Sequence, residues 1–388
     1  MTPAARQAAA IDILDRWREG QPLEAGLTNW SRASRYAGSK DREAVRDLVF
    51  RAVRQWRSAA ALGGGQTGRA LMLGLVRGDG GAPENWTGEM YTPVGLSEDE
   101  RAIFDDPLPA LSRGEKLDCP DWLLPRFDAA LGDLADATLA LMRDRAPVFV
   151  RVNVAKTRVE RAIAELNALD IVATPHPLAS TALEIHENPR RLRNAPAYLE
   201  GRVELQDVAS QAVVEEFLRH LPRGATVLDY CAGGGGKSLA LAALGFSVSA
   251  HDAAPSRMRD LPLRAARAGA KIEILHGTPV GQWSAIFADV PCSGSGSWRR
   301  APEAKWVFSP ERLTELTSIQ DQILSICAGH TAPAGLMAYA TCSLLREENE
   351  DRVTAFLATH RNWRCVSQHR FGLLDGGDGF FVAVLQHD

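Results

Sequence analysis

The sequence lacks any apolar run approaching the roughly 18 residues of a membrane-spanning helix, and its first ten residues hold no apolar core followed by a small-residue cleavage site. Neither a membrane span nor a secretory leader is expected, which points to the cytoplasm. Cysteine is scarce, with six residues at Cys119, Cys231, Cys292, Cys327, Cys342 and Cys365. They form no C-x-x-C pair and have no histidine at metal spacing, so no zinc site is expected and the cysteines should remain thiols. Positive charge is not in excess either, because 44 Lys and Arg against 48 Asp and Glu leave a formal charge of −4. An overall basic coat is excluded, and any nucleic-acid surface has to be local. Internal repeats and low-complexity tracts are also missing. What remains is a chain of 388 residues, 45% hydrophobic, with enough apolar material for two or three domains.

Apolar residues recur at helical spacing from the start, at Ala8, Ile11, Leu14 and Trp17 and again at Val45, Leu48, Val49 and Val53. Gly63, Gly64 and Gly65 interrupt this pattern, and a stretch rich in Gly, Pro and charge runs from Gly78 to Pro109. An all-helical domain over 1–130 is expected. Val148 to Val154 then reads as a strand and Val159 to Leu169 as an amphipathic helix, which places a small α/β module over 140–203. Arg190, Arg191, Arg193 and Arg202 give this module a local basic excess that suits either a solvated surface or RNA. From 204 to 388 short apolar strands alternate with helices, the pattern of a Rossmann-like doubly wound sheet. The expected strands are Thr226–Tyr230, Phe246–Ala250, Lys271–Leu275, Ala285–Asp289, Leu336–Thr341, Trp363–Ser367 and Phe380–Leu385, with the last two paired as an edge hairpin.

The first of these strands leads into Asp229-Tyr230-Cys231-Ala232-Gly233-Gly234-Gly235-Gly236-Lys237-Ser238, after which a helix resumes. A glycine-rich turn between strand and helix lets a ligand approach the backbone and aims helix N–H groups at it. Gly236-Lys237-Ser238 invites comparison with a phosphate-binding loop, with Asp289 as a magnesium ligand. That pattern, however, needs glycine where Cys231 stands. Asp252 follows the second strand, about twenty residues past the turn, where a carboxylate accepts hydrogen bonds from ribose hydroxyls. A nucleoside cofactor, dinucleotide or S-adenosylmethionine, fits better than a bare triphosphate.

Two further strands end in Asp289-Val290-Pro291-Cys292-Ser293-Gly294 and Thr341-Cys342-Ser343. Ligands of open α/β sheets bind at the carboxyl ends of strands, so both thiols are expected to face one pocket. C5 of cytosine is too weak a nucleophile to take a methyl group from a sulfonium. A thiolate that adds to C6 converts the ring into an enamine-like nucleophile at C5. A second thiol would assist release, and Asp289 would hydrogen-bond the N3/N4 edge of the ring.

These residues resemble the RNA cytosine-C5 methyltransferases, a family that includes bacterial ribosomal RNA enzymes and the Nol/Nop/Sun group. The resemblance covers about residues 140–388 and rests on Asp229–Lys237, Asp289–Gly294 and Thr341-Cys342-Ser343. Arg151-Val152-Asn153, Gln206-Asp207, Ser210-Gln211 and Asp378-Gly379-Phe380-Phe381 support it. It implies a Rossmann-like methyltransferase domain with Cys342 as nucleophile and Cys292 in product release. S-adenosylmethionine would be held by Cys231, Ala232, Gly233, Gly234, Gly235, Gly236, Lys237, Asp252 and Asp289. The chain departs from the family at Gly233-Gly234, where Ala-Pro or Gly-Pro is usual, and at Thr278, which stands where an acidic residue usually meets the adenine. Residues 1–130 resemble the NusB-like helical domain fused to bacterial members, on Lys40-Asp41-Arg42 and the helix after it.

Beyond Cys292, the mixture of Trp298, Arg299, Arg300 and Lys305 is expected to contact RNA by base stacking and phosphate pairing. The target cytosine has to leave its stack, which favours single-stranded RNA. Ribosomal RNA is the expected partner, with transfer RNA as the alternative, and nothing in the sequence requires more than a monomer. A P-loop hydrolase and a catalytically silent RNA-binding protein are the competing functions.

Overall fold

A computed structural model describes residues 1–89 and 91–388. The chain forms two compact units.

The first unit comprises residues 1–128, 132–145 and the later segment Trp298–Val307. Its main helices are Pro3–Arg18, Leu23–Ala33, Ser39–Arg54, Trp56–Gly63 and Gly68–Gly78. Local chemistry fixes their starts. Thr2 and Thr67 accept from the amides of Ala5 and Ala70 at 3.1 Å each, satisfying N–H groups that a helix cannot pair internally. The periodic apolar residues turn one face inward, so Leu14, Val45, Val49 and Val53 are fully buried with Ile13, Leu71 and Met72.

The second unit holds two sheets. The smaller has strands β1 (Val148–Val152), β2 (Ala173–Pro175), β3 (Ala182–Ile185) and β4 (Val203–Leu205) in the order β2-β3-β1-β4, antiparallel throughout. The larger consists of β5 (Thr226–Asp229), β6 (Ser247–Ala250), β7 (Ile272–Ile274), β8 (Trp283–Asp289), β9 (Thr331–Thr341), β10 (Trp363–Phe371) and β11 (Phe380–His387). Their order is β10-β11-β9-β8-β5-β6-β7. Strands β5 to β9 run parallel, and β11 lies antiparallel to both β9 and β10, so the expected edge hairpin is present.

A parallel strand covered on both faces has to be apolar at every position. Ile286, Phe287 and Ala288 in β8 and Met337, Ala338, Tyr339 and Ala340 in β9 meet that condition, each fully buried, with alternate residues feeding separate cores on the two faces. Strand β9 begins at Thr331, earlier than the expected Leu336. Ala332-Pro333-Ala334-Gly335 has turn composition, and Ala334 does adopt a positive φ of 59°. Thr331 nevertheless pairs with Trp283 across an irregularity that absorbs the kink. Among the described residues no helix is long and apolar enough to cross a membrane.

Candidate active site

Parallel registry brings the carboxyl ends of β5, β8 and β9 side by side, since Asp229 lies opposite Phe287 and Asp289 opposite Ala340. The residues that leave these three ends form the site. On leaving β8 and β9 the two cysteines meet, with Cys292 Sγ 3.4 Å from Cys342 Sγ. Both are free, half-buried thiols. The hydrogen bond to Cys342, together with burial, pushes the Cys292 thiol well above the usual range.

The glycine turn runs from β5 into the helix Gly236–Ala243. Gly235 sits at φ +78°, and a Cβ there would lie 2.1 Å from Leu261 Cδ1, so both conformation and packing require glycine. Ala232 N donates to His251 O at 2.8 Å, tying the turn to the end of β6. Arg264 donates to the carbonyl of Gly234. Asp252 is buried, and its Oδ2 and Oδ1 accept from the amides of Gly233 at 3.0 Å and Ala254 at 2.9 Å. Arg257 Nη1 also lies 3.5 Å from Oδ2, and Oδ1 keeps a second lone pair for a hydroxyl group. Burial pushes the Cys231 thiol well up, which makes it a packing group rather than a nucleophile. Thr278 lies in an exposed turn beyond β7.

Lys237 does not point outward as a phosphate-binding lysine would. Its Nζ is buried and lies 2.6 Å from Asp289 Oδ2 and 5.2 Å from the centre of the Phe380 ring. Burial alone would lower this ammonium, but the pairing with Asp289 outweighs it and the lysine sits above its usual value. Asp229 has no role that its sequence pattern alone assigns. It is fully enclosed at the end of β5, where Oδ2 accepts from Ser238 Oγ at 2.5 Å and Oδ1 has no hydrogen-bond partner among the described residues. Burial raises its carboxyl to about 7.

Behind the cysteines lies another group that sequence reasoning missed. Glu348 is completely buried, and its carboxylate accepts from residues beside each thiol, namely Ser293 and Ser343. The loop after β8 is drawn further toward β9, because Gly296 N donates to Cys342 O at 2.9 Å and Gly379 N donates to Gly296 O at 2.9 Å.

The structure corrects the expected RNA-contact group. Trp298, Arg299 and Lys305 are buried within the helical unit, and only Arg300 is exposed. Lys305 Nζ donates to Asp118 O at 2.5 Å, and Trp306 Nε1 donates to Val53 O at 2.7 Å. Trp298 packs edge-on against Phe127 with ring centres 6.3 Å apart. Burial lowers the Lys305 ammonium to about 8. These side chains fasten their segment among the helices, and stacking and phosphate contact are not their work.

Residues 218–386 match the model of the 16S rRNA methyltransferase RsmB/F family, and residues 119–190 match the ferredoxin-like domain of RsmF/B-like methyltransferases. The chain is 31% identical over 286 residues to ribosomal RNA small subunit methyltransferase B of Klebsiella pneumoniae. That match covers 69% of this chain and 65% of the Klebsiella protein, a little under two thirds of its length. Among solved structures, PH0851 superposes with a TM-score of 0.78 at 20% identity over 99% of both chains. A methyltransferase homolog from Pyrococcus horikoshii superposes with a TM-score of 0.63 at 21% identity, over 71% of this chain and 98% of its own. These two likenesses concern the fold.

Proposed function

We propose that the chain, whose residues 218–386 match the RsmB/F methyltransferase model, transfers a methyl group from S-adenosylmethionine to C5 of a cytosine in small-subunit ribosomal RNA. The observation that carries this reading is the pair of thiols 3.4 Å apart at the ends of adjacent parallel strands.

The turn and its surroundings fit the cofactor. Asp229 has one carboxylate oxygen without a hydrogen-bond partner among the described residues, Asp252 Oδ1 keeps a lone pair for a ribose hydroxyl, and the glycines clear the backbone. Residues Cys231 to Lys237 with Asp252 and Asp289 would hold it, and Thr278 is the candidate on the adenine side. When bound, S-adenosylmethionine supplies an electrophilic methyl group from its sulfonium.

The protein's own residues prepare the acceptor. Cys342 adds as thiolate to C6, with Cys292 Sγ 3.4 Å away. Asp289, anchored by Lys237, accepts from the N4 amino group of the ring through its second oxygen and so orients the base. C5 and C6 are bonded neighbours, so two sulfurs held side by side can address both carbons. Once C5 carries the methyl group it must lose its proton before the C6–S bond breaks, and the second sulfur stands next to that bond.

The test is to incubate the protein with methyl-labelled cofactor and small-subunit ribosomal RNA, then digest to nucleosides. Label is expected in 5-methylcytidine and should fall by about a thousandfold or more in Cys342→Ala, as when a covalent nucleophile is removed. Label in another nucleoside, or in transfer RNA alone, would overturn the proposal.

A further inference from the structure

The strand ends alone do not account for how close the two sulfurs lie. Each cysteine sits on a loop beyond its strand, and loops are ordinarily the mobile part of such a site. Directly behind them is Glu348, a carboxylate with no exposed surface, on the short turn Arg346–Glu348 that follows Cys342. Its Oε1 accepts from Ser293 N at 2.8 Å and from Gln320 Nε2 at 3.0 Å. Its Oε2 accepts from Ser293 Oγ and Ser343 Oγ, both at 2.5 Å. Ser293 follows Cys292 and Ser343 follows Cys342. The same Gln320 amide reaches back to Pro291 O at 2.9 Å, the residue before Cys292. Tyr339 from β9 donates to Glu348 O at 2.6 Å, and Ser295 Oγ joins the two loops through Ser343 Oγ at 3.1 Å and Leu344 N at 2.8 Å.

An isolated buried carboxylate is costly, and it persists only where its lone pairs are filled. Here they are filled by donors from both cysteine loops and from the long helix Pro310–His330. We propose that Glu348 is a positioning residue that clamps the Cys292 and Cys342 loops together and thereby sets the distance between the two thiols on which the reaction depends. The inference rests on the two-cysteine reading above. It assigns Glu348 no contact with RNA or cofactor. The acceptor pattern also separates shape from charge. The donors to Oε1 are an amide N–H and a side-chain amide, which cannot reverse, whereas the donors to Oε2 are hydroxyls, which can accept instead. A glutamine with its oxygen at the first position and its NH₂ at the second would keep every bond.

Oxidative cross-linking of Cys292 to Cys342 measures the clamp without RNA or cofactor. Diamide takes two electrons and two protons from the thiols, becoming the hydrazine, and leaves one disulfide that peptide mass spectrometry detects. The wild type should cross-link readily and Glu348→Gln should do so within about threefold of its rate, whereas Glu348→Ala should be slower by about tenfold or more. In methyl transfer Glu348→Ala should lose kcat by a similar factor with KM for RNA and cofactor within about twofold, and Glu348→Gln should restore it. If Glu348→Ala melts below the assay temperature, the double variant Ser293→Ala with Ser343→Ala carries the test. It removes both partners of Oε2 and leaves the backbone contact in place. Cross-linking at the wild-type rate in folded Glu348→Ala or in the double variant, or no cross-link in the wild type, would overturn the clamp. A wild type that cross-links in a Glu348-dependent way but methylates no RNA would instead sink the proposed reaction and leave the clamp standing.

Discussion

At the scale of single residues, Asp229 shows how burial converts into a pH dependence. Its carboxyl, ordinarily near 3.8, is raised to about 7 because the strand end excludes water. Between these two values the folded chain keeps a proton that the unfolded chain releases, so stability falls as pH rises through that window and levels off above it. Asp229→Asn removes the titration, and the difference in melting temperature between wild type and variant should drift steadily from pH 4 to pH 7. A constant difference over that range would show that Asp229 ionises normally in the folded protein. The same scale shows what the sequence could reveal. That Cys292 and Cys342 come together was legible, because both leave the carboxyl ends of neighbouring strands. Glu348 was not, since it sits in Arg346-Glu347-Glu348-Asn349-Glu350-Asp351-Arg352, and a run of alternating charge reads as solvated surface. Only the tertiary arrangement turns one of those carboxylates inward.

Among the elements, the crossing of the loop after β8 with the loop before β11 is the tightest constraint on the site. A Cβ on Gly296 would lie 2.0 Å from the carbonyl oxygen of Gly379, and backbone cannot yield as a flexible side chain can. Gly296→Ala should therefore cost about 1–3 kcal/mol, the usual range for overpacking. The denaturation midpoint should fall while the slope stays unchanged. Because Gly296 N also holds Cys342 O, the variant should lose methyl transfer beyond what its lower stability explains. An unchanged midpoint would mean that the two loops do not cross this closely. The seven strands and the edge hairpin were readable from short apolar runs bounded by turn residues, but the first half of β9 was hidden. Pro333 and Gly335 argue for a turn, and pairing with β8 overrode that local preference.

For the whole molecule, the informative departure is Trp298–Val307. Aromatic and basic residues beside a strand-end cysteine suggest a substrate surface, and nothing local indicates that they pack instead against Phe127, Val53, Trp56 and Asp118. A fragment starting at residue 146 should leave Trp298 and Trp306 without those partners. It should bind a hydrophobic dye and associate more than the full chain does under the same conditions. A monodisperse fragment that binds no dye would show that these tryptophans find burial without the helices. The proposed covalent chemistry would require every part at once, from the glycine turn to the cysteine loops. It is tested most directly by mixing Cys292→Ala with cofactor and small-subunit ribosomal RNA, denaturing the mixture, and sequencing the peptide that remains attached to RNA. The expected result is a stable adduct joined through Cys342, because methylation proceeds and release fails. An adduct through another residue, or turnover by Cys292→Ala at the wild-type rate with no adduct, would contradict the assigned division of labour between the two thiols.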